Sequence, residues 1–167
     1  IVTPTALEIV AIIGGFSSIL AAIIACTQID IKRILAFSTM SQIGYMMLAL
    51  GVSGYGGTSG LGFMASMFHL FTHAMFKALL FLGAGAIIHA IHTNNLTEMG
   101  SLRKYMPITH ITFLVACLAI SGIPPFAGFF SKDEILVAAY NYNQIYFWVE
   151  WIVAGLTAFY MFRLYFS

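Results

Sequence analysis

Three ionisable residues stand in one line in the stretch FHLFTHAMFKALLFL, residues 68–82. His69, His73 and Lys77 are spaced four and four, about one helical turn each, so a helix carries them on one drifting stripe. Apart from Thr72, the stretch around them is apolar. Histidine titrates near neutrality, and a buried lysine changes its protonation state readily whereas arginine stays charged. Such groups in line, linked by water, are suited to passing protons. A second lysine stands alone in another apolar region, in GIPPFAGFFSKDEIL, at Lys132. On insertion scales each lysine costs about 2.5–3.5 kcal/mol at a bilayer centre, so Lys77 and Lys132 are expected to face a hydrated interior or a partner rather than lipid.

Plainer readings stand beside this one. An intramembrane histidine is often a hydrogen-bonded packing residue. His-x-x-x-His is also a metal pair, but HExxH is absent and no cysteine or carboxylate is close in sequence. Two of these histidines are the right type to ligate a haem. Lys77 is also read as the partner of a carboxylate elsewhere, and Lys132 as a helix-end lysine reaching the interface. Ser38, Thr39, Ser41 and Gln42 on the preceding segment are candidates to hold the water of a proton path.

The surroundings decide the class. Hydrophobic residues make up 60% of the 167 residues and charged residues 8%; mean hydropathy is +0.94. A soluble domain has roughly a quarter charged residues, so this chain cannot cover a water-facing surface. It reads as an all-α polytopic membrane protein in contact with the bilayer. A net charge of +1 gives no reason to expect nucleic acid. Cys26 and Cys117 sit in apolar runs and read as packing residues. The chain opens without Met and ends within an apolar run, so it is expected to be a fragment of a longer one.

A membrane-spanning helix needs about 20 mostly apolar residues. Five spans follow: residues 7–28, 33–52, 61–91, 107–140 and 145–165, in one transmembrane domain over 1–167. Lys32 and Arg33 lie between the first and second spans, Arg103 and Lys104 between the third and fourth. The other two loops, including GVSGYGGTSG, carry no Lys or Arg. The cationic loops must then share one side, the inner side by the positive-inside rule. The fourth span is too long for one crossing. Gly122, Pro124, Pro125 and Gly128 break it near mid-bilayer, and Ser131-Lys132-Asp133-Glu134 fits the S-x-x-E capping box that would start its second half at Lys132. Irregular backbone at that depth is tolerated only where protein or a water-filled cavity satisfies it, and broken helices in transporters commonly mark the ion site.

Four runs in order, TQIDIKRILAFSTMSQIGYM, FHLFTHAMFKALLFLGAGAIIHA, LTEMGSLRKYMPIT and GIPPFAGFFSKDEIL, resemble the family of antiporter-like subunit 5 of respiratory complex I, the L subunit of bacteria. Related sequences occur in multisubunit Na⁺/H⁺ antiporters and membrane-bound hydrogenases. The family is similar in having two inverted five-helix repeats, each with one broken helix, and the five spans here match the second. The resemblance implies proton pumping coupled to quinone reduction by NADH. It assigns the central proton path to Lys77, the terminal exit half-channel to Lys132, and the bridge between them to His69 and His73. Asp30, Lys32, Ser41 and Asp133 are read as supporting residues. No catalytic or metal-binding residue is expected here, and NADH, FMN, Fe–S clusters and quinone would be bound by other subunits. The implied partners are the other complex I subunits, especially the neighbouring antiporter-like one. The implied location is a bacterial plasma membrane or an organellar inner membrane. A cation/proton antiporter subunit or hydrogenase membrane subunit is the first alternative, a haem-binding membrane anchor the second.

Overall fold

The computed structural model of the chain describes residues 3–53, 60–100 and 102–166, and all regular structure within them is helical. Helices run over α1 (Pro4–Thr27), α2 (Ile31–Gly51), α3 (Leu61–Ile91), α4 (Pro107–Ser121), α5 (Ala127–Tyr142) and α6 (Gln144–Phe166). Of these, α1, α2, α3 and α6 are long and apolar enough to cross a membrane, and α4 is a shorter apolar helix. With α4 and α5 as one interrupted crossing, this is an all-α polytopic membrane protein whose fourth span is broken. At 31 residues, α3 stays helical throughout, about 46 Å in length.

The ends of the helices follow from local chemistry. Asp30 caps α2, accepting from the backbone N–H of Lys32 (2.9 Å) and Arg33 (3.2 Å), which satisfies two orphan donors of the first turn. The loop before α2 pairs with the loop after α3: Ile31 N donates to Asn94 O (3.1 Å) and Leu96 N to Ile29 O (3.0 Å). The two cationic loops therefore lie at the same end of the bundle, as their charge suggested. Arg163 near the end of α6 joins them, donating to the carbonyls of Cys26 and Gln28 at the end of α1. The cation-free loop around Gly56 and Ser59 lies outside the described residues.

Small residues bring the helices together, as is usual in membranes. At Gly14 a Cβ would lie 2.6 Å from Leu48 N, and at Gly44 2.6 Å from Ser18 N, so α1 and α2 touch backbone to backbone. The Ser41 hydroxyl adds a bond to Ser18 O (2.9 Å). Helix α3 packs on α2, α4 and α5, while α6 packs on α1, α2, α4 and α5. The two halves α4 and α5 thus sit between α3 and α6, while in the break itself Gly122, Ile123 and Phe126 are half-buried and Pro124 and Pro125 are exposed.

One local expectation is corrected. The second half of the broken span does not start at a Ser131 capping box. It starts at Ala127, with Phe126 at the cap position and no side-chain cap bond. Gly128 is the reason. A Cβ there would lie 1.9 Å from Ala119 O, so only glycine lets the first turn of α5 press against the end of α4. Ser131 and Lys132 consequently stand in the second turn, with their side chains free to reach other helices.

Candidate functional site

The end of α4 explains where Lys132 goes. Gly122 takes φ 77°, and the chain closes α4 with Gly122 N on Ala119 O (3.2 Å) and Ile123 N on Leu118 O (3.2 Å), a Schellman pair. The Ile120 carbonyl is left over, and Lys132 Nζ donates to it at 2.7 Å. The lysine stem passes Gly122, where a Cβ would lie 3.3 Å from its Cδ. Lys132 is 4% exposed. Its ammonium thus satisfies a broken helix and sits at that helix's negative end.

Ser131, the preceding residue, reaches α3. Its hydroxyl lies 2.8 Å from His69 Nδ1 and 3.3 Å from Thr72 Oγ. The other ring nitrogen, His69 Nε2, lies 2.9 Å from Gln42 Oε1 on α2, and Gln42 Nε2 donates to Thr157 Oγ on α6 at 3.1 Å. The Thr157 hydroxyl donates to Val153 O (2.8 Å), so it accepts from Gln42. The amide oxygen then accepts from His69, and the neutral ring carries its proton on Nε2 with Nδ1 accepting from Ser131. One side of the ring is anchored to an amide that does not pass protons. The other side, Nδ1, meets a hydroxyl, a group that can pass a proton, on the residue next to Lys132 in sequence. Tyr160 extends the network, donating to Ser38 (3.0 Å).

Farther along α3 the polar groups have no direct partners. His73 Nε2 and Lys77 Nζ are buried and make no hydrogen bond among the described residues. The rings of His69 and His73 are 6.1 Å apart, and Phe76 meets His73 edge-on at 5.6 Å. Lys77 Nζ lies 5.7 Å from the centre of the Phe81 ring, and the Cys117 thiol on α4 is within its electrostatic reach. Charges on both Lys77 and Lys132 act on His73. The order in space is therefore Lys77, His73, His69, Lys132. Unmet buried polar groups at this spacing suit bridging water.

The remaining candidates fall elsewhere. Asp30 caps α2 and Ser41 ties α2 to α1. Lys32 is exposed at the cationic end of the bundle, and Asp133 is exposed on the face of α5 turned away from the other helices. Thr39 bonds back to Leu35 O (2.9 Å). The polar residues of α2 thus spend their bonds on protein groups rather than only framing water. The pattern missed Gln42 as the tether of His69, along with Thr157 and Tyr160, whose partners lie more than a hundred residues away. It also missed Glu150, 0% exposed in α6. A lone carboxylate in the apolar run FWVEWIV was a signal for it. Among the described residues no group of three or more His, Cys, Asp or Glu side chains is placed to hold a metal ion.

The family model for the NADH:quinone oxidoreductase/Mrp antiporter transmembrane region matches residues 1–157. The chain belongs to this family. Its relatives include NAD(P)H-quinone oxidoreductase chain 5 of Picosynechococcus sp., 53% identical over 98% of this chain and 25% of the relative. The corresponding subunit 5 of the Paulinella chromatophora chromatophore is 54% identical over 95% and 24%. The chain therefore spans about a quarter of the length of these relatives. In three dimensions it is similar to the Mrp complex from Dietzia sp., with TM-score 0.87 and 29% identity over 96% of this chain and 29% of that one. It is equally similar to an archaeal membrane-bound sulfane sulfur reductase, with TM-score 0.87 and 27% identity over 96% and 32%. As in any NADH:quinone oxidoreductase/Mrp family member, the fold is a transmembrane one, and in this member the buried lysines and histidines lie on the third and broken fourth crossings.

Proposed function

We propose that the chain is the proton-conducting part of subunit 5 of an NAD(P)H-quinone oxidoreductase, a proton-translocating membrane complex. In this reading protons pass between Lys77 and Lys132 through His73 and His69, driven by electron transfer in other subunits. The observation that carries it is the spatial order of the four groups, with two histidines bridging two buried lysines and His69 Nδ1 bonded to the residue beside Lys132. NADH, FMN, Fe–S clusters and quinone belong to other subunits, and the partners are those subunits, the neighbouring antiporter-like one foremost. The outward position of Asp133 and Glu134 on α5 supports a place within a larger assembly, since carboxylates at that depth are costly against lipid.

The likeness to the Mrp complex supports a cation/proton antiporter subunit as the second reading. The 53% identity to a quinone oxidoreductase chain against 29% to the Mrp structure favours the first. A haem anchor is disfavoured because both ring nitrogens of His69 are engaged, leaving no lone pair for iron. The test is proton uptake per NADH oxidised in vesicles of the assembled complex. Lys77→Met and Lys132→Met are expected to assemble and to lose uptake. Uptake at the normal ratio in either variant would refute the path. Coupling to a sodium gradient without NADH oxidation would favour the antiporter.

A further inference from the structure

Of the six carboxylates in the chain, Glu150 is the fully buried one, at 0% exposure. Both of its oxygens lack a hydrogen-bond partner among the described residues. The hydroxyl beside it, Ser18 on α1, donates instead to Gly15 O at 2.9 Å. The charges of Glu150 and Lys132 act on one another, yet Lys132 Nζ bonds to Ile120 O. The two groups are within electrostatic reach and make no ion pair, so a proton passing between them needs bridging water. Of the other titratable groups, Tyr45 from α2 and His69 and His73 from α3 face the pair; α1 contributes the Ser18 hydroxyl and α4 the Ile120 carbonyl.

Depth gives the direction. Lys132 lies ten residues before Tyr142, the end of α5, about 15 Å from that end. Glu150 lies six residues after Gln144, the start of α6, about 9 Å from the same hairpin. Glu150 is therefore nearer the cation-free side of the bundle. At that side a cavity of about 120 Å³ is lined by Ser53, Asn141 and Tyr142 among others, with the apolar cluster of Leu48, Val52 and Ala138 packed nearby.

We propose that Glu150 is the acceptor for the proton leaving Lys132, a station that extends the path toward the cation-free side. This rests on the proton-conduction reading. In the step an N–H bond of the Lys132 ammonium breaks and an O–H bond forms on the Glu150 carboxylate, with water relaying the proton. Lysine becomes a neutral amine and glutamate a neutral acid. The pair carries zero net charge before and after, so the transfer adds no charge to the bundle.

The test uses the assembled complex in vesicles. Glu150→Gln keeps the shape and cannot accept a proton; it is expected to oxidise NADH and lose proton uptake, with Glu150→Asp regaining part of it. Normal uptake in Glu150→Gln alongside loss in Lys132→Met overturns the role of Glu150 and leaves the path to Lys132 standing. Normal uptake in Lys132→Met removes the path itself. If Glu150→Gln does not assemble, the wild-type complex is treated with dicyclohexylcarbodiimide, which modifies protonated carboxyls in apolar surroundings. Peptide mass analysis is expected to find Glu150 labelled in step with lost uptake, and an unlabelled Glu150 at full reagent excess overturns the proposal.

Discussion

Removing the Gln42 amide leaves His69 Nε2–H facing apolar neighbours, because Ser131 holds only the opposite nitrogen. Thr157 keeps its bond to Val153 O and the approach of the Tyr160 hydroxyl at 3.4 Å, so the loss falls mainly on the histidine. An orphaned buried donor costs about 1–3 kcal/mol. Gln42→Leu is therefore expected to lower the thermal stability of the assembled complex by that amount and to slow proton uptake, because the ring is no longer held with Nδ1 toward Ser131. Unchanged uptake in this variant would mean that the orientation of His69 is set by something other than Gln42. At this scale the sequence displayed residue types well. His69, His73 and Lys77 announce themselves by spacing, and all three are buried. Gln42 stood out only as a holder of water, because its role as a tether lies in two bonds to other helices, one of them to a residue 115 positions away.

The elements depend on where a Cβ fits. Gly128 is the contact on which the broken crossing closes, and Gly128→Ala drives a methyl into Ala119 O. Overpacking of this kind costs about 1–3 kcal/mol, sometimes more, and here it also moves the turn that carries Ser131 and Lys132. The variant is expected to reduce assembly, or to assemble with proton uptake impaired. Gly155→Ala, with nothing within 4 Å of the added Cβ, is expected to leave both unchanged. Blue-native gels and vesicle uptake on the two variants together check this. The break itself was legible, because Gly122, Pro124 and Pro125 forbid a continuous helix. The restart was not. S-x-x-E also fits the second turn of a helix, and the close approach of Gly128 to α4 is a tertiary fact invisible in a local pattern. Span lengths were legible from apolar runs, with ends shifted by a few residues where Pro4 and Asp30 start α1 and α2 earlier.

For the whole molecule, charge sets orientation. Lys32, Arg33, Arg103, Lys104 and Arg163 gather at one end, while Lys77 and Lys132 are buried within the bundle. The backbone pairing of the two cationic loops ties that end together. A cysteine at Asn141, exposed at the cation-free end, is expected to react with an impermeant thiol reagent from the outside, and one at Tyr105, 82% exposed, from the inside; the reverse pattern would invert the orientation. The central claim is that protons cross by protonation and release at the buried lysines, rather than by passing fixed charges. Lys132→Arg tests it most directly. Arginine keeps the charge beside Ile120 O but does not deprotonate in a protein. In vesicles of the assembled complex the account predicts near-normal NADH oxidation with proton uptake per NADH lost, as in Lys132→Met. Full uptake with arginine at this position would contradict it, leaving Lys132 as a fixed charge and the relay without its terminal lysine.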